Sequence, residues 1–182
     1  MSKKIIPTIN YLILFGLFVL VICACFAFYN LYNIIEENKI NTSPLANKEV
    51  LYNDLKNTTT ELDADTFLVI SYTQDVDVYN NEKEIKKYLN KINLMNNIMY
   101  LNISEYIDDE EFITDLNKTL KLSDNLKIEK FPALIYYKEG VATYKIDSRD
   151  HLINKQDFEQ VVDIYELAGW QDLILFFLCK II

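Results

Sequence analysis

The chain has 182 residues, 51% hydrophobic and 25% charged, with a formal net charge of -9 at pH 7. An apolar half excludes an intrinsically disordered chain, and three glycines with three prolines exclude collagen-like and Gly/Pro-rich low-complexity classes. The acidic balance excludes nucleic acid as a partner, because phosphate binding needs a basic footprint, and the length fits one domain with accessories.

No charged side chain occurs from Ile5 to Ile35. The nineteen residues Tyr11–Tyr29, at about 1.5 Å rise each, give about 28 Å of helix against a hydrocarbon core of about 30 Å. Tyr11, Tyr29 and Tyr32 stand where interfacial aromatics belong. Lys3 and Lys4 precede the span, and Glu36 and Glu37 follow it. The positive-inside rule therefore predicts a cytoplasmic N-terminus (1–8), a transmembrane helix or signal anchor (9–30) and an extracellular remainder, with single-pass attachment to the cell membrane. Two other fates remain open. Cys25-Phe26-Ala27 has the form of a signal-peptidase site, and Ile22-Cys23-Ala24-Cys25 loosely fits a lipobox that would lipidate Cys25.

Residues 31–47 read as a juxtamembrane helix and linker, broken at Asn41-Thr42-Ser43-Pro44. Ser43-Pro44 predicts a short helix to about Lys56, and Asn57–Thr60 reads as a polar connector. Phe67–Tyr72 is a continuous apolar run, hence a strand covered on both faces. Asn81–Asn93 has helical spacing in Ile85, Tyr88, Leu89 and Ile92, with Glu82, Lys83, Lys86 and Lys87 assigned to the polar side. Ile98–Ile103 is a second strand, and Phe112, Ile113, Leu116 and Leu120 mark another helix. Ala133–Tyr137 and Val141–Ile146 form a hairpin about Lys138-Glu139-Gly140, and Asn154–Leu167 closes with a helix. Strands alternating with helices predict parallel crossovers, the final hairpin adding an antiparallel edge.

Over about Lys48–Leu167 this order resembles the thioredoxin fold. The most specific stretch is Lys127–Gly140, KIEKFPALIYYKEG. It resembles the family's segment in which a cis-proline, here Pro132, opens an apolar strand that ends at a Lys-x-Gly turn. The resemblance implies an α/β architecture: a thioredoxin-like mixed central sheet of about four strands flanked by helices (48–168), preceded by one N-terminal transmembrane helix. An apolar tail (169–182) follows. Its stretch Leu173–Leu178 is too short to span a bilayer, and it fits a core, an interfacial or a partner-binding segment.

The family's redox pair would fall at Val76 and Tyr79, and no cysteine occurs between Asn30 and Leu178. Dithiol exchange needs a thiolate and a resolving thiol, so the expected domain is not a disulfide oxidoreductase. Ile70 stands where thioredoxin has a buried acid. The resemblance also implies a peptide groove, here Tyr72, Val76, Tyr79, Phe131 and Pro132. The anchored short form is similar to bacteriocin-transport accessory proteins.

Other residue patterns point to ordinary structural roles. Asp63/Asp65 and Asp75/Asp77 lack the glycine-bearing oxygen loop of a calcium site, and Asp75 or Asp77 suits a helix cap. Asp108–Glu111 suits a helix start. His151 is the single histidine, too few for zinc. No catalytic residue, cofactor or metal is expected. The expected partners are the membrane and an unidentified protein or peptide, in an accessory role such as export or bacteriocin transport. The alternatives are a divergent enzyme using Tyr72, Asp75 or Asp77, or a purely structural part of a membrane assembly.

Overall fold

The computed structural model describes residues 8–62, 64–109 and 111–167, and the side chains of all of these except 8 and 34–38. The chain divides into two units, 1–39 and 40–182.

The first unit is one helix, α1 (Thr8–Lys39). Its stretch Ile9–Asn33 is long and apolar enough to cross a membrane, with a mean hydropathy of 2.8. The helix runs past Asn30, and residues 40–47, expected as linker, belong to the second unit. The physical reason is Leu45, which is 0% exposed in the domain core.

The second unit contains α2 (Leu55–Thr60), β1 (Thr66–Ser71), α3 (Val76–Lys91), β2 (Ile98–Asn102), α4 (Phe112–Thr119), β3 (Ala133–Lys138), β4 (Val141–Asp147) and α5 (Lys155–Ile164). The sheet order is β2-β1-β3-β4. β1 and β2 are parallel, with Phe67 beside Ile98, while β3 is antiparallel to both β1 and β4. Of the parallel crossovers predicted from the alternation of strands and helices, the one through α3 is present, and the antiparallel hairpin is present as expected, but β3 does not join β1 in parallel. The chain between β2 and β3 brings β3 back in the opposite direction.

Alternate residues of the buried strands face opposite layers, as the pleat demands. Phe67, Val69, Tyr100, Leu134 and Tyr136 pack with Ile85, Leu89, Phe158 and Val161 of α3 and α5. Leu68, Ile70, Leu101, Ile135 and Tyr137 pack with Leu55, Phe112 and Leu116 of α2 and α4. Leu55, Phe67, Leu68 and Phe158 are fully buried, each contributing roughly 1.5–3 kcal/mol by burial.

Two local devices fix the layers. Residues 48–50 lie along the outer edge of β2, with Val50 N–H donating to the Tyr100 carbonyl at 2.8 Å and Tyr100 N–H to the Lys48 carbonyl at 2.9 Å. At the β3–β4 turn Gly140 has φ +79°, and a Cβ there would stand 2.5 Å from the Leu62 carbonyl oxygen, so only glycine fits.

The expected connector Asn57–Thr60 is helical instead. Thr58, Thr59 and Thr60 hydroxyls donate back to the carbonyls of Asp54, Leu55 and Lys56, and buried Leu55 anchors the turn. The fold is thioredoxin-like: a β-α-β parallel unit, an antiparallel hairpin and a closing helix around a mixed four-stranded sheet.

Candidate functional site

The antiparallel pairing of β1 with β3 sets Ile70 opposite Ala133. The residues that leave β1 therefore meet the residues that enter β3. The Phe131–Pro132 peptide bond is cis. Two buried clamps hold this segment. The Asn117 amide brackets Ile128, accepting from its N–H at 2.8 Å and donating to its carbonyl at 2.9 Å. The Pro132 carbonyl accepts from Ser148 N–H at 3.0 Å and Ser148 Oγ at 2.8 Å.

After β1 the chain turns through Gln74, at φ 69°, into α3. Asp75 caps that helix, its Oδ1 accepting from the N–H groups of Asp77 and Val78, each at 2.9 Å. This explains why α3 starts at Val76, five residues before the apolar spacing becomes visible.

The groove residues named from sequence divide between two faces. Tyr72 and Phe131 join an aromatic cluster on the α4 side, in which Tyr106 stacks on Phe112 at 4.6 Å and Phe131 lies 6.0 Å from Phe112. Burial and then Asp75 raise the Tyr72 hydroxyl above its ordinary pKa. Pro132 lies on the α3 side, in a cleft shared with Val78, Glu82, Ile85, Ser71 and Leu45. Val76 is 57% exposed at the helix start. Tyr79 is half-buried and is not among the residues lining the cleft. It is Val78 that meets Pro132 there, rather than Val76 or Tyr79.

Sequence spacing assigned Glu82 to the polar side of its helix, and the structure reverses this. Glu82 is buried, in register with Val78, Ile85 and Leu89 on the inner stripe of α3. One carboxyl oxygen accepts from Ser43 Oγ. The other oxygen, Ser71 Oγ and the Tyr100 hydroxyl have no well-formed hydrogen bond among the described residues. Burial pushes the Glu82 carboxyl up to about 7, the Ser43 and Ser71 hydroxyls offsetting part of the effect. The i, i+4, i+7, i+11 spacing of residues 78, 82, 85 and 89 was the signal that could have found it.

The enclosed part of the cleft has room for about one water, far below the roughly 300 Å³ of a small-molecule site. Asp75 is engaged in its cap and Asp77 is exposed, so the two do not converge on a pocket. His151 Nε2 lies 3.0 Å from Asp157, which also accepts from Asn154 N–H in the capping box of α5. Among the described residues no group of three or more His, Cys, Asp or Glu side chains is placed to hold a metal ion. Asp63 and the tail 169–182 lie outside the described residues.

No protein-family model matches the chain. No curated protein matches it either. Similar solved structures include oxidised thioredoxin O2 from Arabidopsis thaliana, at 14% identity and TM-score 0.43, covering 67% of this chain and 96% of that one. Oxidised thioredoxin from Plasmodium falciparum aligns at 10% identity and TM-score 0.42, covering 67% and 98%. The thioredoxin-like domain of Arabidopsis NCP (nuclear control of PEP activity) aligns at 14% identity and TM-score 0.44, covering 67% and 78%. At these identities the likeness concerns the fold alone, and no activity passes from those proteins to this one.

Proposed function

We propose that this protein is a membrane-anchored, extracytoplasmic thioredoxin-like module that binds a protein or peptide without dithiol chemistry. The observation that carries the reading is Val76. It opens α3 at the sheet end that bears cis-Pro132, it is 57% exposed, and it offers an apolar surface where a thiolate would be needed for exchange. The half-buried aromatics Tyr72 and Phe131, at the same end of the sheet, suit contact with side chains of an extended segment. Lys3 and Lys4 before the apolar helix favour the outward orientation of the domain. An accessory role in export, bacteriocin transport included, is the setting in which such an anchored binder would act.

A divergent enzyme is the second reading, favoured by Glu82, a buried carboxyl that titrates near neutrality in a cleft. The room for about one water beside it speaks against a bound metabolite. The test is site-specific photocrosslinking in membranes. A crosslinker at Val76 should give a discrete adduct that one at Lys91, at the far end of α3, does not. Equal labelling at the two positions, or disulfide exchange by the purified full chain above buffer, overturns the binding reading.

A further inference from the structure

The end of the sheet that carries Pro132 is apolar at its centre and acidic around it. Thr73 and Ser104 tie the loops after β1 and β2 together, with Thr73 N–H donating to Ser104 Oγ at 2.9 Å and the two hydroxyl oxygens 3.0 Å apart. Tyr72, Tyr106 and Phe131 are half-buried on the same cluster, and Val76 and Ile107, from the two tied loops, are 57% and 46% exposed. No lysine, arginine or histidine occurs from Ser71 to Glu82 or from Leu101 to Asn117. Asp77, Glu105 and Asp108 are exposed, and none of their side chains takes a hydrogen bond or ion pair among the described residues. Their charges are free to act on an incoming molecule. Lys130 adjoins Phe131, while Lys145 and Arg149, the other cations near Pro132, are engaged with Asp147 and Glu129.

We propose that this rim docks a cationic, apolar segment of another protein, its aliphatic or aromatic side chains meeting Val76, Tyr106, Ile107 and Phe131 and its lysines or arginines meeting Asp77, Glu105 and Asp108. The inference rests on the binding reading above and names the chemistry of the partner. Complementary charge argues for it, and it also removes the other occupants. A second copy would set the same acids against each other. An anionic lipid surface is repelled for the same reason.

The test uses the full chain in zwitterionic nanodiscs, with empty discs as baseline. A short fluorescent peptide of lysines and leucines is compared with analogues carrying glutamate or serine for lysine. The lysine peptide should bind in a salt-sensitive way. Asp77→Asn, Glu105→Gln and Asp108→Asn together should weaken it about tenfold, and Val76→Ser with Ile107→Ser should weaken it as well. All five substitutions are at exposed positions, so the fold is expected to persist and circular dichroism checks it. Serine or glutamate analogues that bind equally well, and lose binding in the Val76/Ile107 variant, overturn the cationic preference and leave the binding module standing. Lysine-peptide binding indifferent to Val76 and Ile107, or no greater than to empty discs, overturns the rim. No binding of any peptide overturns the proposal, while an adduct at Val76 would still uphold the wider reading.

Discussion

Two carboxyl groups are buried at the Pro132 end of the sheet, and their surroundings differ. Asp147, opposite Ala133 in the β3–β4 register, has a side chain 3% exposed. Lys145 Nζ and Arg149 Nε each lie 2.8 Å from it, and Glu129 N–H donates to it at 3.1 Å. Burial alone would raise its pKa, but these donors outweigh burial and hold it below the usual carboxylate range. Glu82 has hydroxyls in place of cations, and burial wins. The same desolvation thus gives an ion in one place and a group poised between charged and neutral in the other. The Asp147 site is a fastener between β4 and the chain entering β3. The Glu82 site is a point of electrostatic tension between α3, β1 and the Ser43 segment.

The largest way to break the contrast is Asp147→Ala. It leaves the Lys145 ammonium, whose side chain is buried, with the Lys127 carbonyl but no counter-charge, and the expected loss is about 3 kcal/mol in urea unfolding.

The second test is pH. For Glu82 the native pKa of about 7 exceeds the ordinary 4.5, so the folded state holds the proton more tightly. Its contribution is fully present below pH 4.5 and is lost as pH rises through 7, about 3 kcal/mol in all. Asp147 has the opposite sign: its contribution is present above the ordinary aspartate pKa and is lost as pH falls. Glu82→Gln should flatten the change between pH 5 and 8, as read from unfolding midpoints. An unaltered slope in that variant would remove Glu82 as its source.

The smallest effect sharpens the contrast. Ser43→Ala deletes the larger of the two hydroxyl contributions that favour the Glu82 anion, so the Glu82 titration seen by NMR should move further up, with about 1 kcal/mol of stability lost at alkaline pH.

The sequence made the layers legible because the strands have no polar face. Phe67–Ile70 and Ala133–Tyr136 could only be interior, and Pro132 followed by an apolar run marked the strand start. The direction of β3 was not legible, because apolar runs carry no arrow and the connection from residue 103 to 132 decides where the strand enters. Glu82 was misread because its charge was weighed above its place on the Val78–Ile85–Leu89 stripe. Phe131, Pro132 and Tyr72 were legible as residues at strand ends, but Tyr106 and Ile107 come from a loop whose approach depends on the Thr73–Ser104 contact, a pairing with no local signature.

The Lys48–Val50 strap has a consequence for solubility. A sheet ends in rows of bare amide and carbonyl groups that recruit any extended chain, including a neighbour's. At β2 the strap occupies Tyr100 on both its N–H and its carbonyl. A shortened chain that begins after Val50 would present that edge uncovered, inviting strand-to-strand association between molecules. The stretch expected as part of a short helix running to about Lys56 is instead an extended strap that guards against self-assembly.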